Sequence, residues 1–180
     1  IGLLLDHLDE IVLSPVKAAS ELLKDKLREK ALSEIKIVED NWRNILEKKG
    51  GFAIGSEKIV PIGMAFPTRI AAEIVNAPLL NLIDIRSKVK YYQKKGADII
   101  DIGMLANNPK PERIKDIISA IRAISDLPIS IDTLNPSEIN ASIDAGIDLI
   151  LSIDSGNMKE VITDGHQVPV VVIPGDIGRG

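Results

Sequence analysis

Four oxygen-bearing side chains recur where apolar runs break off: Asp101, Asp132, Ser152 and Asp154. Asp101 interrupts the run in GADIIDIG (residues 96–103), and Asp132 closes the one in LPISIDT (residues 127–133). Runs this apolar suit strands buried on both faces, as in a parallel sheet covered by helices. A carboxylate there is costly unless a partner or a ligand satisfies it. Acids at the C-terminal ends of neighbouring parallel strands therefore mark a candidate site. An arc of such acceptors suits a flat heterocycle that offers several N–H donors along one edge. It equally suits a hard divalent cation held by oxygen ligands.

Side chains alternate along a strand, so Ile99, Asp101 and Gly103 share a face, as do Ser130 and Asp132. The same rule lines up Ile150, Ser152 and Asp154. Each acid also has a plain structural reading. Asp154, next to Ser155-Gly156, can cap the following helix, and Asp101 can accept backbone N–H groups across the interior. Asp98 and Asp148 open their strands at the opposite end and are expected to be solvated.

The elements that must hold these groups follow from periodicity and punctuation. A small hairpin turns at Gly55-Ser56 and leads into a strand over Lys58–Met64, followed by a short helix over Arg69–Val75. Asn81 caps a helix running from Leu82 to Lys95, and Gly96 ends it. After the strand Asp98–Gly103 come the loop MLANNPKP and a helix over Glu112–Ser125. The strand Pro128–Thr133 leads to Asn135-Pro136-Ser137-Glu138, a variant of the capping box. A strand over Asp148–Ile153, a short helix over Met158–Thr163 and a strand over Pro169–Ile173 complete the series. Strand–helix alternation calls for an α/β fold with parallel strands. No glycine fingerprint of dinucleotide folds and no P-loop follows any strand. Polar residues gather instead after successive strands, which favours a (βα)8 TIM-type barrel over an open sheet. About five βα units fit into residues 51–180, so the barrel is expected to be incomplete in this chain. Residues 1–50 form a helical segment ahead of it. There Leu27, Ala31, Ile35, Val38, Trp42 and Ile45 make one stripe between Lys24 and Lys49, with Trp42 as a packing anchor.

The 180 residues carry a net charge of -4 with the basic groups scattered, which leaves no footprint for nucleic acid or anionic lipid. Cys is absent, so disulfides, thiolate zinc sites and a Cys nucleophile are excluded, and a cytoplasmic location is expected. The opening LLLDHLDEIVL is too short and too charged to span a membrane. His7 and His166 show no metal-ligand spacing and no nucleophile partner. The chain starts at Ile1 and ends at Gly180 just past a strand, which reads as part of a longer polypeptide. The open edges of a partial barrel would then need cover, from a homodimer or from the remaining barrel sequence outside this chain.

GADIIDIG, LPISIDT and AGIDLI (residues 145–150), in that order, resemble the pterin-binding barrel family typified by dihydropteroate synthase. The N-terminal stretch LDEIVLSPVKAASELL is similar to that of the archaeal-type dihydropteroate synthase-related group. The resemblance implies an eight-stranded barrel in which Asp132 hydrogen-bonds a reduced pterin and Asp101 supports the same pocket. It implies a transferase that joins a hydroxymethyl-dihydropterin diphosphate to an arylamine in folate or tetrahydromethanopterin biosynthesis, with Mg2+ assisting. The same family supports methyl transfer from a methyl-pterin to a corrinoid, and a non-catalytic pterin binder is a third possibility. Three departures stand out. The family's Asn at the end of the first strand has no counterpart in MAFPT, where Ala65 and Phe66 stand. Its Thr-Arg after the second strand is matched by Asn107-Asn108. Its Asn on the fourth strand falls at Leu151, beside Ser152. Arg179, in GDIGRG, is a candidate replacement for the missing anion-binding cation.

Overall fold

Isoleucine-rich runs spaced by helices pair side by side in the order in which they occur. The computed structural model describes residues 24–31, 33, 36, 41–161 and 167–175. It separates into two units, Ile1–Phe52 with Gly63–Pro67, and Ala53–Ile62 with Thr68–Gly180.

In the first unit, residues 24–31 are helical and a turn at Asn41 precedes helix α1 (Trp42–Lys49). Lys48 and Lys49 in its last turn complement the helix dipole, and Gly50 ends it at φ 76. No residue of α1 is fully buried, and Arg43 lies 4.6 Å from the centroid of the Trp42 ring. Ile35 and Val38 of the expected stripe lie outside the described residues, as do His7, His166 and Arg179.

Apart from Phe52, the second unit opens with a two-stranded sheet of β1 (Phe52–Ile54) and β2 (Val60–Ile62). Five parallel strands follow: β3 (Ala71–Ile74), β4 (Ile99–Gly103), β5 (Ile129–Asp132), β6 (Leu149–Ile153) and β7 (Val170–Val172). Each strand pairs with the one before it, with no reversal of direction. An open doubly wound sheet reverses at a switch point, so this progression is that of a barrel wall. Five of the eight strands such a barrel requires are present among the described residues.

The first barrel strand corrects the sequence expectation. Lys58–Met64 contributes β2 to the small sheet, and Arg69–Val75, expected as helix, carries β3 instead. Ala71, Ala72 and Glu73 favour helix intrinsically, but pairing with Ile99, Ile100 and Asp101 of β4 overrides that preference.

Helices α2 (Leu82–Lys94), α3 (Pro111–Arg122), α4 (Pro136–Asp144) and α5 (Met158–Val161) alternate with the strands. Ile100, Ile102, Ile129, Ile131 and Ile150 share one core with Ile85 and Val89 of α2, Ile114, Ile117 and Ile121 of α3, and Ile139 of α4. Each fully buried isoleucine contributes about 1.5–3 kcal/mol. The alternate strand positions face inward, where Ile99 and Leu149 pack on Ile54 and Val60 of the small sheet. That sheet therefore covers the N-terminal end of the strands. The caps expected at Asn81 and Asn135 are present. Asn81 Oδ1 accepts from Asp84 N, and Asn135 Oδ1 accepts from Ser137 N and Glu138 N. Gly96 (φ 88) and Gly146 (φ 81) follow α2 and α4 in the left-handed conformation. No helix among the described residues is long and apolar enough to cross a membrane.

Candidate functional site at the C-terminal strand ends

Register sets the inward-facing groups side by side. Glu73 pairs with Asp101, Asp101 with Ser130, and Gly103 with Asp132. Asp101 is only 5% exposed, and its Oδ1 accepts from Ser130 Oγ at 2.7 Å. Burial pushes its carboxyl up to about 6. The Ser130 hydrogen bond opposes that rise, and the nearby Asp132 and Glu73 charges add to it. Asp132 is exposed at the end of β5, and its Oδ1 accepts from the Ser152 hydroxyl.

Ser152 reaches Asp132 because β6 is irregular. Ile150 pairs with Val170 and Ile153 with Val172, so three steps on β6 span two on β7. The extra residue re-aims the strand, as bulges do beside binding sites. Ile150 and Ile153 both point to the helices, while Ser152 joins the acids on the inner side. Strict alternation, which grouped Ile150 with Ser152 and Asp154, does not hold here.

Asp154 is engaged locally. Its Oδ1 accepts from Gly156 N and Asn157 N, and its own N–H donates to Asn157 Oδ1. Asn157, 2% exposed, also donates through Nδ2 to Ser152 O and Leu134 O, tying the loop after β6 to the loop after β5. Asn107 and Asn108 are exposed in the loop after β4.

A cleft of about 230 Å³ opens between these loops, lined by Met104, Leu105 and Ala106 on one wall and Asp132, Thr133, Leu134 and Asn135 on the other. Two groups at the mouth escaped sequence reading because β3 was misplaced. Glu73 projects across β4, where a Cβ on Gly103 would come within 2.1 Å of Glu73 Oε1. Asn76 lies two residues past β3 in the left-handed conformation (φ 52, ψ 39), which Asn tolerates better than most residues. An Asn does therefore follow the first barrel strand, and the departure at MAFPT came from assigning that strand too early. The turn signal Asn76-Ala77-Pro78 was the available clue.

The opposite end of the strands is chemically different. Asp98 accepts from Ile70 N at 2.9 Å and lies 3.6 Å from the Arg69 guanidinium. Asp148, 9% exposed, accepts from Ile129 N at 2.8 Å and pairs with Arg122. The sequence reading expected both to be solvated, and neither is. Each ties a strand start to the preceding segment and is balanced by an arginine.

The pterin-binding enzyme family matches residues 76–176, more than half of the chain, starting at Asn76. An uncharacterized protein of Methanocaldococcus jannaschii is 39% identical over 176 residues, covering 97% of this chain and 32% of the relative. The chain thus spans about a third of the length of that curated relative. Among solved structures, a dihydropteroate synthase from Coxiella burnetii in complex with pteroic acid is 26% identical, with a TM-score of 0.44. It covers 56% of this chain and 40% of its own. The carboxyl transferase domain of Rhizobium etli pyruvate carboxylase is 24% identical with a TM-score of 0.40, over 46% of this chain and 16% of its own. With the family matched over more than half of the chain, from Asn76 across β4 to β7, the chain belongs to the pterin-binding enzyme family.

Proposed function

We propose that the mouth formed by β3–β6 binds the N–H-rich edge of a reduced pterin, and that the full-length protein joins a hydroxymethyl-dihydropterin diphosphate to an arylamine. The observation that carries this is the convergence of Asp132, Asp101 and Ser152 at adjacent strand ends beside an open cleft. Asp132 accepts from ring N–H groups, and Ser152 orients its carboxylate. Asp101, titrating near 6, lies on the same inner face one strand away and sets the local field. The arylamine nitrogen attacks the pterin methylene as the carbon–oxygen bond breaks. The diphosphate leaves with the electron pair, and the amine then loses a proton.

Asn76, two residues past the first barrel strand, supports this reading over methyl transfer to a corrinoid, because it removes one of the two departures, the missing Asn and the missing Arg, that spoke for methyl transfer. Asn107-Asn108, in place of Thr-Arg, still leaves anion contacts to other parts of the protein. Mg2+ is commonly held through one or two protein oxygens plus substrate phosphates, and Asn76, just past β3, would supply the protein oxygen here. No ready-made group of three or more His, Cys, Asp or Glu for a metal exists among the described residues. When bound, the ion would neutralise charge on the departing diphosphate.

Calorimetry on the full-length protein tests the proposal, comparing the pterin diphosphate with the pterin alcohol, with and without Mg2+. The diphosphate is expected to bind at least about tenfold more tightly in the presence of Mg2+. Equal affinities for the two ligands in both conditions would rule out diphosphate recognition.

A further inference from the structure

Glu138 is the most enclosed carboxylate among the described residues, 0% exposed, and pterin recognition gives it no task. Its Oε1 accepts from the Lys110 backbone N–H at 2.7 Å, and its Oε2 from the Thr133 hydroxyl. Thr133 Oγ1 in turn accepts from Asn135 N at 3.1 Å. In a capping box, an acid at this position turns back to the N–H of the cap residue. Here the Asn135 N–H donates to Thr133 Oγ1 instead, and Asn135 Oδ1 satisfies the first-turn donors. The carboxylate is free to reach a loop 28 positions away in sequence.

The two loops it joins are the two walls of the cleft. Met104–Ala106 belong to the loop that ends at Lys110, and Thr133 directly follows Asp132. Burying a carboxylate is costly, and both oxygens are occupied by donors from these loops, so the arrangement is stable only when the two loops are held together. We propose that Glu138 is a positioning residue: one buried carboxylate clamps the loops after β4 and β5 and so sets the width of the cleft and the direction of Asp132. This rests on the reading of the cleft as the pterin site.

Glu138→Gln keeps the volume, an acceptor for Lys110 N and a donor for Thr133 Oγ1, whereas Glu138→Leu removes both legs. In the full-length protein, calorimetry with 6-hydroxymethyl-dihydropterin should show Glu138→Gln within about threefold of wild type and Glu138→Leu weaker by about tenfold or more. Hydrogen exchange without ligand should show residues 104–110 and 133–135 exchanging about tenfold faster in Glu138→Leu, with the amides of α2 unchanged. Should Glu138→Leu fail to fold, Thr133→Val cuts one leg, and faster exchange at residues 133–135 is still expected. Unaltered loop exchange in the folded variants overturns the clamp. So does lower global stability with undiminished pterin affinity, which would make Glu138 merely structural. A wild-type protein that binds no pterin defeats the functional reading, while the exchange data still decide whether the clamp exists.

Discussion

The two ends of the same strands carry the same residue type in opposite settings. At the N-terminal end, Asp98 and Asp148 each accept a strand-opening N–H and face an arginine. At the C-terminal end, Asp101 and Asp132 receive serine hydroxyls, and among the described residues neither is in an ion pair. A carboxylate balanced by a guanidinium is complete within the fold. One supplied with neutral donors and no cation, as Asp101 is by Ser130 and the Ile102 backbone, retains acceptor capacity that a ligand with N–H groups can use. The difference lies in the neighbour, not in the acid.

The largest effect should come from the completed end. Asp148→Ala strips Arg122 and Ile129 N of their acceptor and is expected to cost about 3 kcal/mol in urea unfolding. A cost near zero would erase the contrast. At the mouth the sign reverses. Asp101 has a folded pKa raised from 3.8 to about 6, so the native state binds the proton more tightly than the unfolded chain. The resulting destabilisation is absent below the unfolded value, grows as pH rises between the two values, and is fully present above 6. Asp101→Asn, which can still accept from Ser130, should therefore stabilise by about 1–2 kcal/mol at pH 7–8, a figure reduced for water at the mouth. That gain should vanish below about pH 4. Thermal melts of both proteins across this range decide it, and a gain that persists in acid would locate its cause elsewhere. The smallest effect on stability belongs to Asp132→Asn, expected within about 0.5 kcal/mol of wild type. Its pterin affinity should nonetheless fall by more than about 1 kcal/mol, since a charge-assisted bond is lost. Unfolding and calorimetry on the same sample would sharpen the comparison to one residue.

Much was determined by the sequence alone. The apolar runs ending in Asp101 and Asp132, the caps at Asn81 and Asn135, and the glycines at 96 and 146 are local signals, and each element stands close to where those signals put it. They also sufficed for the family resemblance. What was illegible depends on contacts distant in sequence. β3 is a strand only because β4 pairs with it, and misplacing it hid both Glu73 and Asn76. Ser152 was placed with the acids from sequence, but by strict alternation; it turns inward because β6 carries one residue more than β7 across the same span. The partners of Asp98 and Asp148, and the two loops held by Glu138, are likewise products of folding. Periodicity specifies which side of an element is apolar. Which carboxylate meets an arginine, a serine or open water is decided by tertiary packing, and that choice separates the structural acids of this protein from those proposed to meet a ligand.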